Sequence, residues 1–237
     1  MYHGWQIQPR ENSVQETIER ALSVLLKEEI SVVGCGRTDT GVHASQFFLH
    51  FDTGHPVDKE KLKFRLNSFL PGDIVIFQII KVDDDAHARF HAISRSYQYR
   101  ISMEKNVFAR DTSLLLPNVN LDVNEMNKAA ALLLNYRDFK CFSRSNTDVK
   151  TYNCNITEAC WKQEDNFLVF HVTANRFLRN MVRALVGTLL EVGKHKMSLA
   201  QFEEVLESRD RTKAGASVKA RGLFLTKVDY PKEIFIS

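Results

Sequence analysis

Residues 34–44, GCGRTDTGVHA, are caught between two β-prone apolar runs, and this constrains the chain more than any other stretch. Ahead of it, Ile30, Val32 and Val33 read as a short strand that runs into a glycine-flanked turn. Behind it, Phe47, Phe48, Leu49 and Phe51 read as a second apolar strand. Arg37, Thr38, Asp39 and His43 are therefore expected on a turn supported at both ends, which would present a carboxylate in a fixed direction. Two readings are open for Arg37 and Asp39. The pair either fastens the turn or keeps Asp39 ionised as a nucleophile or base.

The rest of the pattern alternates helices and strands. NSVQETIERALSVLLKE places Val14, Ile18, Ala21, Leu22 and Leu25 at helical spacing behind a Ser13 cap with Glu16 three residues on. A second helix is expected from Asp58 to Phe69, stopped by Pro71-Gly72, followed by a strand over DIVIFQIIKV. Tyr97, Tyr99 and Ile101 alternate with polar residues in a strand with one buried face. The period is lost over residues 103–120, so the chain is expected to divide into an N-terminal half, 1–105, and a C-terminal half, 106–237. The second half offers a helix from about Asp122, a hairpin turning near Gln163 to Asn166, and a long helix over NRFLRNMVRALVGTLLEVGKHK ending at Gly193. A further helix, LAQFEEVLESRD, and a last strand, GLFLTKVDYP, complete it. This order predicts an α+β fold with a mostly antiparallel sheet covered by helices.

Composition excludes several classes. With 44% hydrophobic and 26% charged residues among 237, the chain reads as an ordinary globular protein. Its longest apolar runs fall far short of the roughly 20 residues a spanning helix needs, so no membrane association is expected. No secretory signal is read in the opening residues, and a cytoplasmic location is the expectation. The four cysteines form no Cys-x-x-Cys pair, and the histidines no ligand pattern, so reduced structural thiols and no metal are expected. The net charge is only +3, yet arginines cluster in ARFHAISRSYQYR and NRFLRNMVR, which is where phosphates would be drawn.

With no metal or cofactor pattern beside it, a carboxylate such as Asp39 suits glycosidic-bond or acyl-type chemistry. Aromatic Tyr97 or Tyr99 beside arginines suits a base extruded from an RNA stack, or plain cross-strand packing. Arg183 sits on an otherwise apolar helix side and calls for a carboxylate partner, for which Asp39 is the candidate, or else snorkels at the core rim.

GRTDTGVHA resembles the catalytic loop of the TruA-type tRNA pseudouridine synthases. YHGWQIQP, SVQETIERAL, NSFLPGDI, HARFHAISRSYQYRI, DFKCFS, ANRFLRNMVRALVGTLLEVG, DRTKAGAS and GLFLTKVDYP resemble further blocks of that family, in family order along nearly the whole chain. The resemblance implies conversion of uridine to pseudouridine at positions 38, 39 and 40 of the tRNA anticodon stem-loop, without a cofactor. It implies Asp39 as the essential catalytic residue, by attack on C6, attack on C1′, or removal of a ribose proton. It further implies Tyr97 against the target base, Arg37 in extruding the nucleotide or filling its place, Arg183 paired with Asp39, and Leu223 beside the reacting base. The implied fold is two α/β halves sharing one sheet around a basic central cleft, working as a homodimer on tRNA. The family pattern also carries a strand ahead of the Gly-Trp-Gln block, where this sequence has Met1 directly before Tyr2. Either the start is assigned too late or part of a central strand is missing, and the second case would leave an unpaired sheet edge with lowered stability.

Overall fold

The computed structural model describes residues 2–144 and 149–236. Five α-helices are present among them: α1 (Val14–Leu26), α2 (Lys59–Phe69), α3 (Val123–Leu132), α4 (Met181–Gly193) and α5 (Leu199–Ser208). The strands are β1 (Val33–Gly34), β2 (His43–Ala44), β3 (Leu49–His50), β4 (Ser94–Ser102), β5 (Leu114–Leu115), β6 (Ile156–Glu164), β7 (Phe167–Ala174) and β8 (Leu223–Asp229). The fold is α+β. By compactness the chain forms two units: Met1–Gly41 with Phe47–Ile93 and Val228–Ser237, and Val42–Gln46 with Ser94–Lys227. Both are built from discontinuous stretches, whereas the halves expected from chain order are contiguous.

In the first unit, α1 begins as its sequence dictates, with the Ser13 side chain accepting from the Glu16 amide. Its inner face joins Trp5, Ile30, Val32 and the α2 residues Leu62 and Leu66 in one core. The two expected strands around the loop are largely extended chain, and only Val33–Gly34 and Leu49–His50 pair, antiparallel. Helix side chains supply the missing partners. Glu19 accepts from the Val32 amide at 2.8 Å, Gln15 donates to the Val32 carbonyl at 3.2 Å, and the Ser23 hydroxyl accepts from the Ile30 amide. The expected strand over DIVIFQIIKV likewise joins no ladder from residue 74 to 81 among the described residues. Asn67 of α2 takes both backbone groups of Ile76, accepting from its amide at 2.7 Å and donating to its carbonyl at 2.8 Å. Ile74, Ile76 and Ile79 pack on the core, while Val75 and Phe77 are exposed.

The second unit is built on a mixed sheet in the order β2-β8-β4-β7-β6, with β5 also on β4. The expected hairpin is β6 and β7, and β4 pairs antiparallel with β7 from Arg95↔Ala174 to Ser102↔Phe167. Parallel pairs, β2 with β8 and β4 with β5, stand beside these. Tyr99, Ile101, Leu168, Phe170 and Val172 share a core with α3, α4 and α5. The expected long helix starts later than its sequence pattern suggests. Asn180 lies in the left-handed region at φ 66°, so residues 175–180 turn before α4 begins.

Among the described residues no helix is long and apolar enough to cross a membrane. Cys35, Cys141 and Cys154 are buried and Cys160 half-buried, none in a disulfide. Burial pushes the Cys141 thiol up to about 12 and that of Cys154 to about 11. Both folded values exceed the unfolded one. Their contribution to stability is therefore whole below about pH 8.5 and is lost as pH rises, by about 1.4 kcal/mol per pH unit for each thiol. Urea unfolding should show a midpoint falling above that pH, and the Cys141→Ala/Cys154→Ala double variant should show a shallower fall.

Candidate active site

The GRTDTGVHA loop is held by the segment that precedes α1. Gly4, at φ 89°, lies so close to the loop that a Cβ there would sit 2.4 Å from the Thr38 carbonyl oxygen. The Trp5 amide donates to that same carbonyl at 3.3 Å. The Trp5 indole covers Gly34, where a Cβ would lie 2.6 Å from the ring, and its other neighbour is Phe47 at 4.2 Å between centroids. Glycine at 4 and 34 is thus required by close approach, and the GlyTrp pair acts as the floor of the loop. On this floor Arg37 is exposed and Asp39 half-buried. The backbone contacts of Thr38 help to fasten the turn.

The end of the same loop belongs to the second unit. There the His43 ring stacks on Phe224, 4.7 Å between centroids, and Phe224 also takes the Arg100 guanidinium at 4.4 Å. His43 Nε2 lies 2.9 Å from the Asp111 carbonyl oxygen, which only accepts, so Nε2 carries the proton. This His43–Phe224–Arg100 stack is not visible in the sequence, because its members are far apart in the chain and the register of β2 on β8 brings them together.

The other expected site residues, Tyr97, Arg183 and Leu223, all belong to the second unit. Tyr97 and Tyr99 point to the same face of β4, but their surroundings differ. Tyr99 is wholly buried, its hydroxyl donating to the Lys219 carbonyl at 2.7 Å, with Gly222 against its ring. Burial pushes its phenol well above the ordinary tyrosine range, against the pull of the Arg183 and Arg221 charges. Tyr97 is only half-buried, edge-on to Phe177 at 5.1 Å. Tyr99 is thus the more deeply packed of the two. Arg183 is half-exposed on a helix whose other residues from Met181 to Leu190 are buried, and its Nε donates to the Val218 carbonyl at 2.8 Å. Leu223 is 6% exposed and belongs to the core.

Several arginines lie on the chain that leads from β7 toward α4 or bond to it. Arg95 donates to the Asn175 carbonyl, next to Arg176, and the Arg144 amide donates to the Arg179 carbonyl. Among the described residues no group of three or more His, Cys, Asp or Glu side chains is placed to hold a metal ion.

A family model described as tRNA pseudouridine synthase matches residues 129–231. The chain is 49% identical over 236 residues to the tRNA pseudouridine synthase A of Bacteroides fragilis, covering 99% of this chain and 93% of that one. It is 48% identical to the tRNA pseudouridine synthase A of Porphyromonas gingivalis, with 99% and 94% covered. It is 39% identical to that of Bacillus pumilus, with 97% and 94% covered. The chain belongs to the tRNA pseudouridine synthase A family.

Replacing Tyr99 by Phe removes the hydroxyl that donates to the Lys219 carbonyl. The variant should lose about 0.5–1.5 kcal/mol of stability in urea unfolding.

Proposed function

We propose that this protein isomerises uridine to pseudouridine at positions 38, 39 and 40 of the anticodon stem-loop of tRNAs, with Asp39 as the essential catalytic residue. Membership of the tRNA pseudouridine synthase A family, along nearly its whole length, is the observation that carries tRNA uridine isomerisation. The held loop bearing Asp39 supports the finer reading. In the reaction the target nucleotide leaves its stack, the C1′–N1 bond breaks, the uracil turns, and C5 bonds to C1′. N1 gains a proton and C5 gives one up, so the sum is an isomerisation that consumes nothing.

Each side chain has a role its surroundings suit. Asp39 acts on the uridine from a loop whose backbone is fixed before the substrate arrives, which lowers the cost of reaching the reacting geometry. Arg183, with Nε donating to the Val218 carbonyl, serves the reacting site. Tyr97 offers its half-buried ring to the extruded base, and exposed Arg37 takes the space the nucleotide leaves. Leu223 closes the apolar side of the base site. Arg95, Arg144, Arg176 and Arg179 meet phosphates, and a homodimer with a basic cleft would double the cationic surface that a chain of +3 net charge offers.

Tritium release from unmodified tRNA labelled at uridine C5 tests the reading, with wild type and Asp39→Ala side by side. The wild type should release tritium, and the variant should be slower by at least about 10³-fold while its tRNA affinity is retained. Activity of Asp39→Ala close to wild type would overturn the role of Asp39. Silence from both with tRNA bound would make the protein an RNA-binding module. A phosphate role for the arginines is tested separately. Arg144→Ala or Arg179→Ala should weaken tRNA binding and lower the slope of log affinity against log salt by about 1 each.

A further inference from the structure

We infer that Arg211 is a positioning residue for this reaction: it fixes segment 214–219 on α4, and that segment orients the guanidinium of Arg183. The inference rests on the reading above, in which Arg183 serves the reacting site.

The segment lies on the helix as closely as backbone permits. A Cβ on Gly187 would sit 1.8 Å from the Ala216 carbonyl oxygen, and one on Gly215 would sit 2.9 Å from the Thr188 Cα. The buried Thr188 hydroxyl donates to the Ala184 carbonyl and accepts from the Gly215 amide at 2.9 Å. Further along, Arg183 and Val218 are bonded in both directions. The Val218 amide donates to the Arg183 carbonyl at 3.2 Å, and Arg183 Nε donates to the Val218 carbonyl at 2.8 Å. With Nε bonded there, the Val218 carbonyl is one of the groups that direct the plane of the guanidinium. The location of Val218 is therefore a property of the site.

What holds the approach to Val218 is Arg211. Its Nη1 donates to the Ala214 carbonyl at 3.3 Å and to the Gly215 carbonyl at 3.1 Å, and its Nη2 donates to Ser217 Oγ at 3.0 Å. Ser217 Oγ also accepts from Asn180 Nδ2 at 2.6 Å, at the cap position of α4. One planar fork thus binds three groups spread over four residues, a task for which a lysine ammonium has neither the span nor the fixed directions. On the far side of Val218, the Lys219 carbonyl is held by the Tyr99 hydroxyl. Removing Arg211 leaves Thr188 and Asn180 as the remaining side-chain holds between residues 214 and 217, and frees the Val218 carbonyl to shift.

Single-turnover tritium release, tRNA affinity and urea stability are measured for wild type, Arg211→Ala, Arg211→Lys, Ser217→Ala, Arg183→Ala and the Arg183→Ala/Arg211→Ala double variant. Arg211→Ala and Arg211→Lys should slow the saturated step by about 10- to 100-fold, as a displacement of about 1 Å does, with tRNA affinity within about twofold of wild type. The double variant should be no slower than Arg183→Ala alone, since Arg211 acts through Arg183. If Arg211→Ala does not fold, Arg211→Lys and Ser217→Ala carry the comparison, with Ser217→Ala showing a smaller loss of rate at unchanged affinity. Weakened tRNA affinity with an unchanged saturated rate would make Arg211 a phosphate contact and overturn the inference. So would rate losses that multiply in the double variant. An active wild type with unaffected Arg211 variants overturns the inference alone, whereas a wild type that releases no tritium overturns the site reading and the inference with it.

Discussion

The antiparallel register of β4 on β7 is the pairing from which the second unit takes its shape. Because side chains alternate along a strand, it sends Tyr97, Tyr99 and Ile101 toward the helices and Gln98 and Arg100 to the other side. A slip of one residue would exchange the two sets and bury an arginine. The register also fixes what comes next to β4. Thr226 of β8 donates to the Ser96 carbonyl, and Gly222 at the head of that strand meets the Tyr99 ring. The Tyr99 hydroxyl then reaches Lys219, and the segment before Lys219 lies along α4. Arg183 is oriented at the end of that sequence of contacts.

The first unit solves its backbone accounting differently. Little of its extended chain is paired with other strands, and side chains of α1 and α2 meet the amides and carbonyls instead, as Glu19, Gln15 and Asn67 do. The cost of such an arrangement is exposed apolar surface at Val75 and Phe77. Its benefit is local: the loop bearing Asp39 is held by glycines and the Trp5 indole, so the position of the carboxylate depends on close contacts more than on a wide sheet.

Much of this is legible in the amino-acid sequence. Ser13 with Glu16 announces α1, Asp58 and Pro71 bound α2, and the alternation around Gln163 to Asn166 announces the β6–β7 hairpin. Local signals suffice there because caps, turns and periodicity are written within a few residues. The early start expected for α4 fails because helical periodicity says nothing of a left-handed residue such as Asn180. The strand expected over residues 73–82 is apolar enough to be one, but a ladder needs a neighbour, and sequence does not reveal that Asn67 meets Ile76 in its place. Of the candidate site residues, those in the motif around Asp39 and the isolated arginine on α4 stand out. Neither the stack of His43, Phe224 and Arg100 nor the hold of Arg211 on segment 214–219 does, since each depends on tertiary register.

The central claim is that the loop carrying Asp39 serves isomerisation of uridines in the tRNA anticodon stem-loop. Its most direct test is to map pseudouridine, nucleotide by nucleotide, in unmodified tRNA transcripts incubated with the purified protein. The account predicts pseudouridine at positions 38, 39 and 40 wherever uridine stands there, and at no other position. Pseudouridine in another arm of the tRNA, or release of free uracil in its place, would contradict it.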